Sequence, residues 1–233
     1  MKKLLKRLIL LLLLAIICAG AYFTAAGYVM YKKATQAISV VQKVKEVRTE
    51  DCYTTLDQIP DIYEDAVISV EDHRFYKHHG VDVIALGRAL VKNIQTMEFS
   101  QGGSTITQQL AKNLFFTNEK KIERKAAELF VVYQLEKNYA KDVILELYIN
   151  TVYYGDGYYC VKDAAKGYFN KEPAEMTDYE STMLAGIPNA PSVYAPTKNN
   201  DLAQKRQEHV LNRMVKCRAI TKEQKQKILA EAD

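Results

Sequence analysis

The chain has 233 residues, 48% apolar and 26% charged, which leaves room for one domain with a sizeable core plus one appended segment and excludes a long multidomain architecture. The formal net charge of +4 is matched by Lys2, Lys3, Lys6 and Arg7 alone; the rest of the chain is formally neutral, so its basic balance is no sign of a nucleic-acid partner, and none is expected. Four cysteines, Cys18, Cys52, Cys160 and Cys217, show no CxxC spacing, and only three lie beyond the first apolar run, so they give neither a closed disulfide framework nor a zinc signature.

Residues 1–7 read as a basic cytoplasmic tail. From Leu8 to Tyr31 no charged residue occurs. At about 1.5 Å per helical residue this run reaches roughly 36 Å, enough to cross a bilayer. It reads as a single transmembrane helix over 8–31, with the N-terminal bases held in the cytoplasm and the remainder outside, at the cell membrane. The competing reading is a cleaved signal peptide, with Leu8 to Ala19 as h-region and Ala19-Gly20-Ala21 as cleavage site; apolar character continuing through Tyr22, Phe23, Val29 and Met30 favours the span. Residues 32–55 read as a juxtamembrane stalk, with Lys32 to Lys45 mixing charge with Ala, Ile and Val at helical spacing.

The body, 56–233, is expected to be mainly α. Ile59-Pro60-Asp61 opens a segment whose apolar positions, Tyr63, Ala66, Val67 and Val70, recur at three and four, and Val81 to Asn93 repeats the pattern. Ser104 is placed to cap a helix through Leu110 to Phe116; Ile122 to Tyr139, Asp142 to Ile149 and Val161 to Phe169 follow. Thr177 to Glu180 and Thr221 to Gln224 have the capping-box pattern, and strand-like alternation is nearly absent.

Chemistry concentrates in a few blocks. Glu71 follows Val67-Ile68-Ser69-Val70, so a carboxylate emerges at the end of an apolar turn, where partial burial raises its pKa and suits it to general-base work; a helix-end ion pair with Arg74 or Lys77 is the plainer reading. His73, His78 and His79 lack the i, i+4 spacing of a helical metal site. Gly102-Gly103-Ser104 permits close backbone approach in front of a helix N-terminus, which suits a diphosphate, although such a triplet is more often a turn. Thr105, Thr107, Gln108 and Gln109 behind it are poor core material and good partners for sugar and phosphate oxygens.

Lys112, Lys120, Lys121, Arg124 and Lys125 form a cationic series. Arg124 stands at i, i+4 and Lys125 at i, i+3 from Glu128, so the face is either a helix-stabilising ion pair or a cradle for a pyrophosphate leaving group. The tyrosines around Gly155 and Gly157 read equally as a saccharide groove and as core packing. Val83 to Phe99, with Arg88 and Lys92, is an interfacial segment dipping into the outer leaflet or an amphipathic core helix.

Taken in order, the Glu71 block, GGSTITQQ at 102–109, RKAAE at 124–128, KDVILELYIN at 141–150 and LAGIPNAPSVYAP at 184–196 resemble the successive motifs of the family 51 peptidoglycan glycosyltransferases, across roughly residues 56 to 217. The resemblance implies a lysozyme-like helical domain that polymerises lipid II into a growing β-1,4 glycan strand, releasing undecaprenyl diphosphate. Glu71 stands where the family's base deprotonates the acceptor 4-hydroxyl, and Glu128 where a second glutamate assists diphosphate departure. Arg88, Gly103, Ser104, Gln108, Gln109, Lys112, Asn113, Arg124 and Lys125 match or neighbour the family's substrate contacts. A magnesium ion on the substrate diphosphate is expected for the family, with no metal site written in the chain and no organic cofactor. Other cell-wall synthesis proteins are possible partners by the same resemblance.

Two further expectations follow. With Asp233 the last residue and no SxxK nucleophile, the chain reads as monofunctional. Cys160 stands where the family commonly has a third glycine after Gly155 and Gly157, which predicts altered backbone geometry beside the acceptor groove. The alternatives are a peptidoglycan-cleaving hydrolase on the same scaffold, which has little use for a glutamate set among cations, and an inactive lipid II-binding scaffold, against which both glutamates argue.

Overall fold

In a computed structural model, described for residues 2–96, 103–117, 119 and 121–232, the chain is helical, and the described residues contain no strand beyond an isolated bridge between Gly155 and Tyr158. The helices are α1 (Lys2–Ala34), α2 (Val40–Arg48), α3 (Asp61–Glu71), α4 (Val83–Thr96), α5 (Ile106–Phe115), α6 (Ile122–Asn138), α7 (Lys141–Ile149), α8 (Val161–Phe169), α9 (Asp178–Gly186), α10 (Pro191–Tyr194), α11 (Asn200–Cys217) and α12 (Lys222–Leu229).

α1 is long and apolar enough to span a membrane, and its C-terminal end packs on the body. Gly27 is buried against α6, where a Cβ would sit 2.5 Å from that of Ala126, and Tyr31 stacks on Phe130 at 5.6 Å. The segment expected as a stalk breaks after Ala34. It resumes as α2, which Ser39 and Gln42 start with a capping box and which sends Val40, Val44 and Val47 into the core.

The body is built from two groups of helices. α3 packs on α9 and α11, while α5 packs on α6 and α7. The capping boxes expected at Thr177 and Thr221 start α9 and α12. The cap of α5 differs from expectation: Thr105, not Ser104, is the N-cap, accepting the Gln108 N–H at 3.2 Å while Gln108 Oε1 accepts the Thr105 N–H at 3.0 Å. Reciprocal satisfaction of two orphan donors decides between adjacent hydroxyl residues. The two groups meet along a seam, where the Tyr63 and Tyr154 hydroxyls lie 2.6 Å apart and the Ile106 N–H donates to Asp72 Oδ2 at 3.1 Å.

Candidate active site

Glu71 is the last residue of α3, and its side chain reaches the seam with only 11% of its surface exposed. Gln109 Nε2 donates to its Oε2 at 2.7 Å, and Tyr148 Oη donates to Gln109 Oε1 at 3.5 Å, which fixes the amide with its N–H groups toward the carboxylate. Arg206 lies 3.7 Å from Oε1. Burial pushes the Glu71 carboxyl above the usual carboxylate range; the Gln109 hydrogen bond, Arg206 and Lys112 oppose the rise, and Asp72 adds to it. The plainer ion pair with Arg74 or Lys77 is not formed. Arg74 pairs with Asp82 at 3.0 Å.

A second network holds the backbone around Glu71. His78 Nε2 lies 3.0 and 2.9 Å from the two oxygens of Asp72, which also receives the Ile106 N–H, and Thr105 Oγ1 donates to the Gly80 carbonyl at 2.6 Å. The histidine is therefore part of a buried brace between the end of α3 and the start of α5.

Glu128 has no exposed surface and lies on the buried stripe of α6, in line with Val132 and Leu135. A carboxylate on such a stripe needs partners. Arg124 contacts Oε1, and Lys125 Nζ lies 2.8 Å from Oε2 and 3.3 Å from Ser104 Oγ. Burial, Arg124 and Lys112 push the Lys125 ammonium below its ordinary pKa; burial and Arg124 do the same to Lys112, with Glu71 opposing. Lys112 thus stands near both cations that hold Glu128, and the mutual repulsion of the three is relieved when an anion arrives.

The remaining expected residues divide. Gln109, Lys112, Arg124, Lys125 and Ser104 converge with the two glutamates across α3, α5 and α6. Gln108 is occupied in capping α5, while Thr105 and Thr107, expected to face sugar and phosphate, are buried, with Thr107 Oγ1 donating to Glu136 at 2.6 Å. Gly103 packs beside Leu86 of α4, and Gln101, Gly102, Asn118 and Lys120 lie outside the described residues. Asn113 borders a cavity with Cys52 and Cys160.

Arg88 is exposed on α4; burial, and then the nearby Arg88 charge, lower the pKa of His73. On the same helix Val83, Ile84, Leu86 and Val91 are all more than half exposed while Ala89 is buried, so most of its described apolar side chains are not packed into the core. Of the tyrosines, Tyr148 and Tyr154 are core, whereas Tyr153 and Tyr159 are exposed and lie 4.7 Å apart. The expectation for Cys160 is corrected. Its φ of −138° is ordinary extended backbone needing no glycine, unlike Gly155 and Gly157 at +91° and +89°.

The sequence reading missed α11, which brings Arg206 to Glu71 and also carries His209 and Arg213. Its charge-rich composition hides it, but Ala203, Gln207, Val210, Leu211 and Met214 recur at helical spacing on its buried face, and that periodicity was the available signal.

Helices here bring together a nearly buried carboxylate, a fully buried one and a surplus of cations, an arrangement suited to an anionic ligand. The chain belongs to the transglycosylase family: the family model described as Transglycosylase matches residues 36–215. Penicillin-binding protein 1A of Neisseria lactamica is 44% identical over 77% of this chain and 22% of its own length, and penicillin-binding protein 1F of Bacillus subtilis is 44% identical over 69% and 22%. The chain thus spans about a fifth of the length of these curated relatives. A crystal structure of penicillin-binding protein 1A from Haemophilus influenzae matches 76% of this chain and 17% of its own, at 23% identity and a TM-score of 0.44.

Proposed function

We propose that this chain is a membrane-anchored peptidoglycan glycosyltransferase that polymerises lipid II into β-1,4-linked glycan strands and releases undecaprenyl diphosphate. The observation that carries the reading is the pair of unlike glutamates: Glu71 set for proton transfer by burial, and Glu128 locked among Arg124 and Lys125 with Lys112 close by. Glu71 takes the proton of the acceptor 4-hydroxyl, whose oxygen attacks the donor's anomeric carbon. The diphosphate leaves from the opposite face with the bonding electron pair, which inverts the configuration in one displacement. Arg124, Lys125 and Lys112 neutralise the departing diphosphate, and Glu128 holds the first two in place.

The donor set tells against a protein-held magnesium ion at Glu128. Arg124 contacts Oε1 and Lys125 lies 2.8 Å from Oε2, which accepts no hydrogen bond; one carboxylate oxygen of a fully buried side chain, set beside two cations, is a poor donor set for a hard ion that takes about six oxygens. A magnesium ion on the diphosphate therefore belongs to the substrate, and no step is assigned to it. The single-pass topology with an external catalytic domain belongs to the same proposal, as does a role in cell-wall biogenesis and cell shape. A hydrolase, whose leaving group is a sugar hydroxyl, gains nothing from the cation cluster.

The test is incubation of the full chain with labelled lipid II and magnesium in detergent, beside Glu71→Gln. Expected are lysozyme-sensitive polymer from the parent chain and a rate reduced by about 10²–10⁴ in the variant. A variant polymerising at near-normal rate overturns the base assignment, and cleavage of added peptidoglycan without polymer growth points to the hydrolase.

A further inference from the structure

Cys52 and Cys160 take no part in the proposed transfer, and nothing in their spacing along the chain connects them. The fold does. Cys160 is the N-cap of α8, and its Sγ accepts the backbone N–H of Asp163 at 3.4 Å. An N-cap residue and the third residue of its helix face the same point before the first turn, so sulfur and carboxylate are neighbours by construction. Cys52 arrives from the turn after α2. That turn is clamped to Asn150, whose Oδ1 accepts the Thr54 N–H at 2.9 Å and whose Nδ2 donates to the Thr54 carbonyl at 2.8 Å.

One ligand atom each from Cys52, Cys160 and Asp163 therefore lies within 4.8 Å of the others, and Glu50 Oε2 is 4.0 Å from the Cys52 sulfur. The three residues line a cavity of about 290 Å³, with Glu50 on its wall. Cys160 is buried, Cys52 is half-buried and Asp163 is exposed, so the donors are held on the protein side and open to solvent on the carboxylate side. Two soft sulfurs and a carboxylate form a donor set for a borderline-soft ion, not for magnesium or calcium.

We propose that Cys52, Cys160 and Asp163 bind one thiophilic divalent metal ion of the zinc class, with the fourth tetrahedral position open to Glu50 or water. Metal–sulfur bonds of about 2.3 Å and metal–oxygen bonds of about 2.0–2.2 Å place tetrahedral neighbours roughly 3.5–3.8 Å apart, so donors already this close need to move only about 1 Å. On binding, each thiol S–H bond breaks and a sulfur–metal bond forms, both protons pass to solvent, and no electron is transferred. The loaded site clips the turn after α2 to the N-terminus of α8 and so to the tyrosine loop that precedes it.

The experiment uses the full chain in detergent, reduced with a phosphine, stripped with a chelator and titrated anaerobically with Co²⁺ as a spectroscopic stand-in for zinc. Expected is one equivalent bound with a thiolate-to-cobalt charge-transfer band, displaced by Zn²⁺ and weakening by about 100-fold per pH unit lowered, as release of two protons requires. Cys52→Ser and Cys160→Ser each lose the band, and Cys217→Ser keeps it. Cys52→Ser, on a half-buried turn, decides the matter should the buried Cys160 variant fail to fold. Absence of the band from a chain with four free thiols overturns the proposal. So does a Cys52–Cys160 disulfide in the isolated protein that, once reduced, gives no band. Metal binding is read without the polymerisation assay, so failure here and failure of the transferase reading are separate results.

Discussion

Glu71 and Glu128 are both withdrawn from solvent, yet their neighbours give removal of each charge an opposite consequence. For Glu71, burial sets the folded pKa above the unfolded one. The stability tied to its proton is fully present below the unfolded pKa and is lost as pH rises through the folded pKa, so ionising this side chain weighs against folding. Glu71→Gln is therefore expected to keep or raise Tm while removing activity. Glu128→Gln leaves Arg124 and Lys125 facing a neutral amide, with an expected loss of about 3 kcal/mol and a Tm lower by roughly 6–12 °C in thermal unfolding. A Glu128→Gln protein as stable as the parent would contradict the buried ion-pair account. Gln109 supplies the finer test. Gln109→Leu removes the amide that favours the Glu71 carboxylate, so the acid limb of the kcat/KM profile should move to higher pH, and an unmoved limb means that the 2.7 Å bond does not tune the base.

At the level of helices, α6 carries Arg124, Lys125 and Glu128 on one side and receives α1 near Ala126 and Ala127 on the other. Gly27 lets the two backbones approach. A Cβ there would lie 2.5 Å from the Ala126 Cβ and 2.9 Å from both the Ala126 carbonyl carbon and the Ala127 nitrogen, and backbone atoms do not yield as side-chain ends do. Gly27→Val should therefore push α1 off α6, destabilise the full chain by about 1–3 kcal/mol and lower kcat on the order of tenfold by shifting the Glu128 turn. Unchanged melting and turnover in detergent would show that α1 rests on α6 without positioning it. α11 is the counterpart on the other side of the seam, where Arg206 both faces Glu71 and donates from Nε to the Gly186 carbonyl at 3.1 Å, tying α11 to the end of α9.

For the whole molecule, the decisive property is sidedness. An alkaline phosphatase fused after Asp233 should be active in intact cells, and a fluorescent protein that matures only in the cytoplasm should stay dark at the same point; the reverse pattern would place the glutamates inside and remove access to an external glycan. Much of this architecture was legible in the chain, because uncharged length, apolar periodicity and capping residues are local properties: they marked α1, the bounds of α8 and the starts of α9 and α12, and the ordered motifs singled out two glutamates that the fold withdraws from solvent. The tertiary structure decided the rest. Which of Ser104 and Thr105 caps α5, which tyrosines are core, that Thr107 serves Glu136 and not a sugar, that Arg206 meets Glu71, and that Cys52 meets Cys160 all depend on packing between segments distant in sequence. Local sequence sets what a residue offers chemically, but burial and partnership arise only when helices close around it.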